Sequence, residues 1–340
     1  MRPATGERPD LEPDAAAKGT LMTWIESTHS GRREQLGPFI LGTGNIGGVA
    51  MSTGPGIGLS EDEGLALLDR AVAEGFTAFD TADAYTGGTS ERVIGQWNRT
   101  HPDSSTLTQT KTGVTANGPD LDPERIRRQL ANSTKTLGHV DLYLAHTTDP
   151  STPWERSLPV FSDAVDDGRI RAYGLSNVNA IQLADALATA DRLGLHRPEI
   201  VQNSYSLLDR SDDRDVLPLV TAEGLAYTPF SPLANGILAG RYSDGQRPQT
   251  GSRASTAPHA ERRLGDAELM DTVRRFDTLA ADHGISPAGL ALAWLLNHAA
   301  VTAPIVAFSK EHHWRSVDES RAFDWDTNLD DALDTLFAIS

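Results

Sequence analysis

The chain of 340 residues contains no cysteine, which excludes disulfide bonds, thiolate metal sites and a thiol nucleophile. It also lacks an uninterrupted apolar run of about 18 residues, the length that a transmembrane helix needs. No basic and apolar leader of the kind that directs secretion opens the sequence. Because disulfide-free chains are typical of reducing compartments, we expect a soluble cytoplasmic protein.

Positive charge is scarce. The chain has 30 Lys and Arg against 47 Asp and Glu, a formal net charge of −17 at pH 7. Since no basic stripe is present, neither a nucleic acid nor a membrane is an expected partner. Only four basic residues are lysines, namely Lys18, Lys111, Lys135 and Lys310. The pKa of lysine shifts readily on burial whereas that of arginine does not, so each lysine invites a functional explanation.

Residues 1–35 lack the apolar periodicity of a packed domain, and we expect a flexible extension or a surface cap there. From residue 36 to residue 340, short apolar runs alternate with longer amphipathic segments. The apolar runs predict eight strands: Phe39–Leu41, Thr77–Phe79, Thr106–Thr110, Val140–Ala145, Ile170–Leu175, Ile200–Gln202, Leu225–Thr228 and Ala303–Ala307.

Helical spacing and start signals fill the intervals between these runs. The predicted helices are Gly64–Val72 after a capping box at Ser60–Glu63, Ser90–Asn98, Arg125–Leu137, Pro153–Asp167, Asn179–Leu193, Asp213–Glu223, Pro287–Asn297 and a final one within Asn328–Ser340. Eight such units with no break in composition predict an α/β fold, a single (β/α)₈ TIM barrel over residues 36–340 with long loops at its C-terminal face. Residues 242–265 form a long polar stretch, for which a lid over a ligand and plain disorder both stay open.

One glycine motif points away from the dinucleotide-binding fold that it superficially matches. Residues Gly42–Gly47 read G-x-G-x-x-G directly after the first predicted strand. In a Rossmann fold this motif opens a helix, with an acidic residue about 20 positions further on. Here a Gly-, Ser- and Pro-rich stretch follows, and the next helix begins only after Ser60. We therefore predict a tight glycine turn at the mouth of the barrel.

Four chemically active side chains follow three neighbouring predicted strands. Asp80 and Tyr85 follow the second strand, Lys111 ends the third, and His146 follows the fourth. Active sites of such barrels form at the C-terminal ends of the strands, so these side chains are expected to converge. Each residue alone also has a purely structural explanation, such as a turn cap or a hydrogen-bonded core side chain.

The four side chains suit hydride transfer to a carbonyl group. Negative charge develops on the carbonyl oxygen, so a proton donor must lie against it. Tyrosine, with an ordinary pKa of about 10, is a weak acid, but a nearby ammonium group favours its phenolate. Lys111 would supply that ammonium, Asp80 would keep it charged, and His146 would orient the substrate beside Tyr85.

Several segments together resemble the aldo-keto reductase family, in the branch of bacterial reductases and potassium-channel β-subunit-like proteins. The segment Phe79–Gly95 (FDTADAYTGGTSERVIG) is similar to the signature of that family. Further matches are Asp141–His146, Gly168–Ile170 with Gly174–Asn177, Val201–Tyr205 and Pro229–Gly236, so that the resemblance runs from about Phe39 to Trp325.

The resemblance implies an NADPH-dependent reductase of small aldehydes or ketones, with Asp80, Tyr85, Lys111 and His146 as its catalytic tetrad. It assigns the nicotinamide carboxamide to Asn177 and Gln202 with Ser176 alongside, and stacking on the nicotinamide ring to Phe230. It assigns the pyrophosphate to Ser231, Leu233 and backbone amides near Asn235 and Gly236, and backbone contacts with the cofactor to Gly44 and Asn45. Candidate walls of the substrate pocket are Ile46, Met51, Trp154 and Tyr205, which favours an apolar or aromatic carbonyl compound.

The sequence departs from the family after the eighth predicted strand, where it reads Val306–Lys310 followed by two histidines. Ser309 and Lys310 are suitable partners for a 2′-phosphate, but the departure leaves NADH possible as well as NADPH. Two other functions stay open. One is a metal-dependent hydrolase using His146, Asp149, Asp80 and Asp83. The other is a cofactor-binding sensor or regulatory subunit with slow turnover. No heptad repeat indicates an oligomeric state.

Overall fold

We analysed a computed structural model of the chain, which describes residues 23–26, 33–53, 57–242, 248, 255 and 262–338. Eight parallel strands form its central sheet: β1 (Ile40–Gly42), β2 (Ala78–Asp80), β3 (Leu107–Thr112), β4 (Leu142–Ala145), β5 (Ala172–Ser176), β6 (Ile200–Gln202), β7 (Ala226–Tyr227) and β8 (Ile305–Val306). All eight coincide in order and approximate position with the predicted runs. From β1 to β7 each strand pairs with the next one in the chain, and β8 pairs with β1.

Backbone hydrogen bonds between the β7 and β8 regions close the sheet into a barrel. The N–H of Thr302 donates to the carbonyl of Tyr227 at 2.8 Å, and the N–H of Ile305 donates to the carbonyl of Pro229 at 2.8 Å. Because the connections between parallel strands must cross over, helices cover the outside of the barrel. The predicted α/β barrel is confirmed.

The crossover helices follow the strands in order. They are α1 (Glu61–Ala73), α2 (Thr89–Thr100), α3 (Pro123–Leu137), α4 (Trp154–Asp166), α5 (Ala180–Leu193) and α6 (Val216–Ala222), then α7 (Ala267–Asp282) and α8 (Pro287–Asn297) between β7 and β8, and α9 (Arg315–Ala322) and α10 (Asn328–Leu336) after β8. The capping box at Ser60 and Glu63 is present at the start of α1. The predicted helix Asp213–Glu223 instead begins with a 3₁₀ turn, Ser211–Asp213, and continues as α6.

Helix α7 was not among the predicted helices. Its amphipathic pattern is present, with Met270, Val273, Phe276 and Ala280 buried on one face and Asp266 capping its N-terminus. Gly265 and Asp266 mark the start of the helix at the end of the polar stretch 242–265, and Gly284 follows its end. Most of that stretch lies outside the described residues, so the choice between lid and disorder stays untested. Among the described residues no single helix is long and apolar enough to span a membrane; α7 and α8 pass only as a pair bent by 84°.

Two apolar layers hold the barrel together. The larger layer lies between the outer faces of the strands and the helices. The smaller fills the lower half of the barrel, with Ile40, Ala78, Leu107, Leu142 and Ile200 among its members. Because successive side chains of a strand point to opposite faces, residues two positions further along each strand also face inward, nearer the C-terminal end.

Part of the segment 1–35 has regular structure in the described residues. Thr23–Glu26 pairs antiparallel with Arg33–Leu36. Leu36, the last residue of this hairpin, is buried in the same apolar layer as the N-terminal ends of the strands. Leu36 therefore fixes the end of the second strand of this pair at the bottom of the barrel, and the choice between a flexible extension and a surface cap for residues 1–35 stays a prediction.

Candidate active site

The inner face of the barrel becomes polar at its C-terminal end. Asp80 lies two residues after the core residue Ala78, Lys111 lies four after Leu107, and Gln202 lies two after Ile200. Alternation therefore directs these three side chains into the barrel, above the apolar layer. All three are at least 96% buried, since their exposed fractions are 4%, 0% and 1% respectively.

An ion pair lies at the centre of this polar layer. Lys111 Nζ donates to Asp80 Oδ1 at 2.5 Å. The same oxygen accepts hydrogen bonds from Gln109 Nε2 at 2.7 Å and from Gln202 Nε2 at 3.1 Å. Burial alone would lower the pKa of Lys111, but attraction to Asp80 and Tyr85 and hydrogen bonds to both raise it above its ordinary value. Lys111 is therefore a buried but charged ammonium group.

Tyr85 lies directly against this ammonium group. Lys111 Nζ is 5.1 Å from the centroid of the Tyr85 ring and hydrogen-bonded to its side chain. Gly44, in the turn after β1, also lies beside Tyr85, because a Cβ atom there would be 3.4 Å from Tyr85 Cδ2 and Cε2, an ordinary van der Waals contact. The glycine motif thus forms the expected turn at the barrel mouth, next to the phenol.

The turn that carries Tyr85 has an unusual backbone. Tyr85–Gly88 is a 3₁₀ turn in which Thr86, Gly87 and Gly88 have φ values of 49°, 63° and 88°. Left-handed backbone at a β-branched residue costs about 1–3 kcal/mol and persists only when the surroundings enforce it. The Thr86 N–H donates to the carbonyl of Ala50 at 2.8 Å, and Thr86 Oγ1 accepts from the N–H of Ser90 at 3.2 Å.

His146 completes the group. Its ring meets that of Tyr85 edge to face, with centroids 5.6 Å apart and an interplanar angle of 82°. Burial and the positive charge of Lys111 lower the pKa of His146 to about 3, so the imidazole is neutral near pH 7. Its Nδ1 atom is shielded from solvent and has no hydrogen-bond partner among the described residues. The structure thus brings together all four predicted tetrad residues.

The residues assigned to the nicotinamide carboxamide surround the same group. Ser176 ends β5, and Asn177 follows it with a left-handed φ of 56°. Asn177 Nδ2 donates to the carbonyl of His146 at 2.8 Å and to Ser176 Oγ at 3.0 Å. Gln202 is bonded to Asp80, as described above. These amides therefore lie beside His146 and Asp80 at one rim of the barrel.

The loop after β7 has the backbone features of an anion-binding loop. Ser231, Ala234, Asn235 and Gly236 have positive φ values of 58°, 47°, 60° and 91°. Backbone of this kind forms a concave nest that suits phosphate oxygens. Within the loop, the N–H of Ala234 donates to the carbonyl of Ser231 at 2.9 Å and that of Gly236 to the carbonyl of Leu233 at 2.8 Å. Phe230 precedes them, half-buried, and packs on the apolar layer inside the barrel. Leu233, also half-buried, lies within the loop.

The loop after β8 lies next to the turn after β1. Asn45 Nδ2 donates to the carbonyl of Phe308 at 2.6 Å, while Asn45 Oδ1 is buried with no partner among the described residues. Ser309 and Lys310 follow Phe308 and are exposed. The unpaired polar atoms of Asn45 and His146, the nest after β7 and the exposed lysine suit a phosphate-containing nucleotide cofactor.

Three of the four residues predicted to line the substrate pocket lie in the apolar layer between the strands and the helices. Ile46 and Tyr205 are fully buried and Trp154 is 93% buried, all in the layer outside the strands. Tyr205 donates to Asp213 and stacks on Trp294 of α8 at 5.3 Å. Packing against helices takes up their apolar surface, and their role as pocket walls stays a prediction. Met51 is 66% exposed and stays a candidate.

Three functional candidates were missed by sequence reasoning. Gln109 supports Asp80 from an inward position of β3, which strand alternation alone could have indicated. The other two are Arg241 and His313, whose Nη2 and Nε2 atoms lie 2.7 Å apart. His313 is three residues beyond Lys310. Burial and the charge of Arg241 lower the pKa of His313 to about 4. No sequence signal joined these two residues, which are 72 positions apart.

The donor set for a metal is not assembled. Asp149 Oδ1 accepts hydrogen bonds from both the N–H and the hydroxyl of Ser151, and Oδ2 accepts from the N–H of Leu121. Burial would raise the pKa of Asp149, but these bonds lower it to about 2. In the part of the chain that the structure describes, His, Asp and Glu form no group of three that could hold a metal ion.

A closed barrel with an acid, a phenol, an ammonium and an imidazole at its C-terminal rim indicates a class of barrel oxidoreductases. The Aldo/keto reductase family profile matches residues 38–334. The chain therefore belongs to the aldo-keto reductase family of oxidoreductases, whose members typically use NAD(P)H.

Relatives of the chain include both channel subunits and enzymes. A putative voltage-gated potassium channel subunit beta from Schizosaccharomyces pombe is 35% identical over 258 residues, 72% of this chain and 74% of that protein. Versiconal hemiacetal acetate reductase from Aspergillus parasiticus is 29% identical over 266 residues, 71% and 77% of the two chains. The solved glycerol dehydrogenase from Gluconobacter oxydans has the same fold, with a TM-score of 0.78 at 24% identity over 93% of this chain and 95% of that one.

Proposed function

We propose that the chain reduces an aldehyde or a ketone to the alcohol, with NADPH as the preferred cofactor and NADH as a possible substitute. The observation that carries this proposal is the buried Lys111 ammonium group, bonded to Asp80 at 2.5 Å and placed against the Tyr85 phenol. Burying a charged lysine costs free energy unless the charge is paired. The two partners of Lys111 are a carboxylate and a phenol, which is a weak acid.

Tyr85 is the proton donor in this proposal. When bound, the nicotinamide cofactor supplies the hydride that reaches the carbonyl carbon. Charge then builds on the carbonyl oxygen, and the Tyr85 hydroxyl gives up its proton to that atom. Lys111 stabilises the phenolate that remains, because a positive charge nearby favours the ionised form. Asp80, with Gln109 and Gln202, holds the ammonium in place.

His146 orients the carbonyl group. As a neutral imidazole it can donate one hydrogen bond to the carbonyl oxygen, and it adds no positive charge beside Lys111. Its edge-to-face contact with Tyr85 places both donors on one side of the rim. A neutral donor and an acidic phenol therefore share the developing negative charge.

The cofactor would extend across the barrel mouth. Asn177 and Gln202, with Ser176, would hold the carboxamide, and Phe230 offers a flat apolar face to the nicotinamide ring. Ser231, Leu233, Asn235 and Gly236 would bind the pyrophosphate, and Gly44 and Asn45 would contact the cofactor from the β1 side. Ser309 and Lys310 would bind the 2′-phosphate. The substrate is then a small carbonyl compound held near Met51.

The Tyr85→Phe variant tests this function. It removes the proton donor and retains the ring, so we expect turnover to fall by about 10²–10⁴ with nearly unchanged NADPH affinity. The assay is loss of nicotinamide absorbance with NADPH or NADH against a panel of aromatic and aliphatic aldehydes. Tyr143→Phe, a buried tyrosine on the outer face of β4, is the matched control. Full activity of Tyr85→Phe would exclude the assigned donor.

A cofactor-binding subunit with slow turnover is the second candidate. It is supported by the similarity to a putative potassium channel subunit beta at 35% identity. In that case the same assay would give tight NADPH binding, slow cofactor release and little aldehyde turnover. Binding of neither cofactor would contradict both candidates.

A further inference from the structure

Asp83 is a second buried carboxylate near the tetrad, and the proposed mechanism does not use it. Its side chain is 4% exposed. Oδ2 accepts a hydrogen bond from Thr112 Oγ1 at 2.8 Å and another from Gln129 Nε2 at 3.0 Å. Arg125 Nη2 lies 3.5 Å from the same oxygen. These three partners come from β3 and α3, so Asp83 ties the loop after β2 to both elements.

The backbone of Asp83 connects the two residues on which proton transfer depends. Its N–H donates to the carbonyl of Lys111 at 3.0 Å, and Tyr85 follows two residues later, with its own N–H donating to the carbonyl of Ala82 at 3.1 Å. Thr112 and Lys111 are adjacent in β3, so the side chain and the backbone of Asp83 hold consecutive residues of that strand. Asp83 itself points to the outer side of β3, where Thr112 lies, and not toward the substrate rim.

The turn after Asp83 needs such an anchor. Thr86 has left-handed backbone directly after Tyr85, and a β-branched residue leaves that conformation when its neighbours permit. Downstream, Ser90 fixes the turn, since its hydroxyl lies 2.7 Å from Thr43 Oγ1 and 2.8 Å from Thr81 Oγ1. Upstream, Asp83 is the side chain that joins the turn to β3 and α3, through Thr112 and Gln129. Loss of that anchor would let the turn relax and draw the phenol away from Lys111.

We propose that Asp83 is a positioning residue, which holds the strained turn so that the Tyr85 phenol stays against the Lys111 ammonium group. The inference rests on the proposed function, in which Tyr85 is the proton donor. Asp83 does not touch the reacting atoms. It acts by fixing the distance between two groups whose attraction makes the phenol more acidic.

Asp83→Ala is the principal test, with Asp83→Asn as the conservative variant, because asparagine retains an oxygen acceptor for Thr112 and Gln129. Asp120→Asn is the matched control. Asp120 Oδ2 lies 3.7 Å from Arg125 Nε and its side chain is 45% exposed, so this variant disturbs the same arginine without touching the turn. The first readout is the alkaline titration of Tyr85, taken from the tyrosinate absorbance of each protein minus that of its Tyr85→Phe version. The second is the separate determination of kcat and KM with NADPH and 4-nitrobenzaldehyde.

With Asp83→Ala, we expect Tyr85 to titrate at a higher pH than in the unmodified chain, because the phenol moves away from the ammonium group that favours its ionised form. We expect kcat to fall by about a hundredfold, as for a small misplacement of a reacting group, with KM for NADPH unchanged. Asp83→Asn should recover most of the rate, and Asp120→Asn should behave as the unmodified chain. An unchanged Tyr85 titration in Asp83→Ala would overturn the inference, as would equal losses in Asp83→Ala and Asp120→Asn.

Two further measurements distinguish failure of the positioning role from a folding defect and from failure of the proposed function. If Asp83→Ala does not fold, Gln129→Met removes one donor to Asp83 and must shift the same titration in the same direction, by a smaller amount, or the inference is wrong. If Tyr85→Phe keeps full activity, the proposed function is wrong. If Tyr85→Phe loses activity but Asp83→Ala changes neither kcat nor the titration of Tyr85, only the positioning role of Asp83 is wrong. The titration requires no substrate and is readable in either case.

Discussion

Single side chains of this barrel are directed inward or outward by strand alternation, and that decides their chemistry. Leu107, Gln109 and Lys111 share the inner face of β3, so one strand passes from apolar core to buried ammonium group within five residues. Among the described residues, Lys111 is the one fully buried lysine. Its compact ammonium group fits against a single carboxylate oxygen, whereas the planar guanidinium group of an arginine would not, which explains the preference for lysine at this position.

The pH dependence of stability carries a signature of His146. Its pKa is lowered from an unfolded value of about 6.5 to about 3 by burial and Lys111, so the unfolded chain binds this proton more tightly than the folded one. The contribution of neutral His146 to stability is therefore full above about pH 6.5 and declines as the pH falls toward about 3. We expect the stability difference between the chain and His146→Gln to change in favour of the variant on acidification.

Urea unfolding at several pH values between about 7 and about 4 measures this difference. His283→Gln is the control, because His283 is exposed and remote from the rim. A difference between the chain and His146→Gln that stays constant over this range would contradict the prediction.

The position of a side chain is predictable from the sequence where the end of a strand determines it. It is not predictable where tertiary packing determines it. Asp80, Lys111 and His146 follow strands, so their position at the rim could be predicted from periodicity alone. Ile46, a predicted pocket wall, packs against Gly64 of α1, which lies 18 residues further along the chain. An apolar residue on a rim loop has no local signal that distinguishes a pocket wall from a residue packed under a helix.

The strands, helices and turns of the barrel were predictable to different degrees. The eight strands and the helices with clear caps, such as α1 with its Ser60 capping box, were predicted because short-range patterns encode them. Helix α7 carries local signals of the same kind, an N-cap at Asp266 and an amphipathic pattern, and could have been predicted from them. The short 3₁₀ turns depend on tertiary contacts, which a single sequence does not display. The hairpin that ends at Leu36 was missed for the same reason, since its inner contact is with the bottom of the barrel.

Gly95 controls how closely two of these elements approach. A Cβ atom at Gly95 of α2 would lie 1.9 Å from the carbonyl oxygen of Thr136, near the end of α3. Helix propensity favours alanine over glycine by about 1 kcal/mol, but backbone atoms of α3 cannot give way without separating the helices. We expect Gly95→Ala to destabilise the fold by about 1–3 kcal/mol, the usual cost of overpacking.

The measurement is the free energy of unfolding in urea. Gln96→Ala, at the exposed neighbouring position of α2, is the control and should be neutral or slightly stabilising. If Gly95→Ala were as stable as Gln96→Ala, the close approach of α2 and α3 would not be a constraint on this fold.

For the whole molecule, closure of the barrel is what turns eight strands into one rim. The tetrad comes from β2, β3 and β4, while the loop proposed to bind the pyrophosphate follows β7 and the exposed Lys310 follows β8. These two groups face the same opening only because β8 returns to β1 and meets β7. The alternation of strands and helices predicted this closure, but it could not identify the bonds that make it.

Thr302 makes those bonds on one side of the junction. Its N–H donates to the carbonyl of Tyr227 at 2.8 Å, and its Oγ1 accepts from the N–H of Tyr227 at 3.0 Å. Thr302→Val keeps the shape of the side chain but leaves the buried Tyr227 N–H without its acceptor, a loss of about 1–3 kcal/mol of stability. Thr302→Ser retains the hydroxyl and should lose less. Thermal and urea unfolding measure the stability, and amide hydrogen exchange at Tyr227 should accelerate in the valine variant alone. Equal exchange rates in the two variants would mean that the hydroxyl of Thr302 does not secure the β7–β8 junction, and that the backbone bonds from Thr302 and Ile305 close the barrel without it.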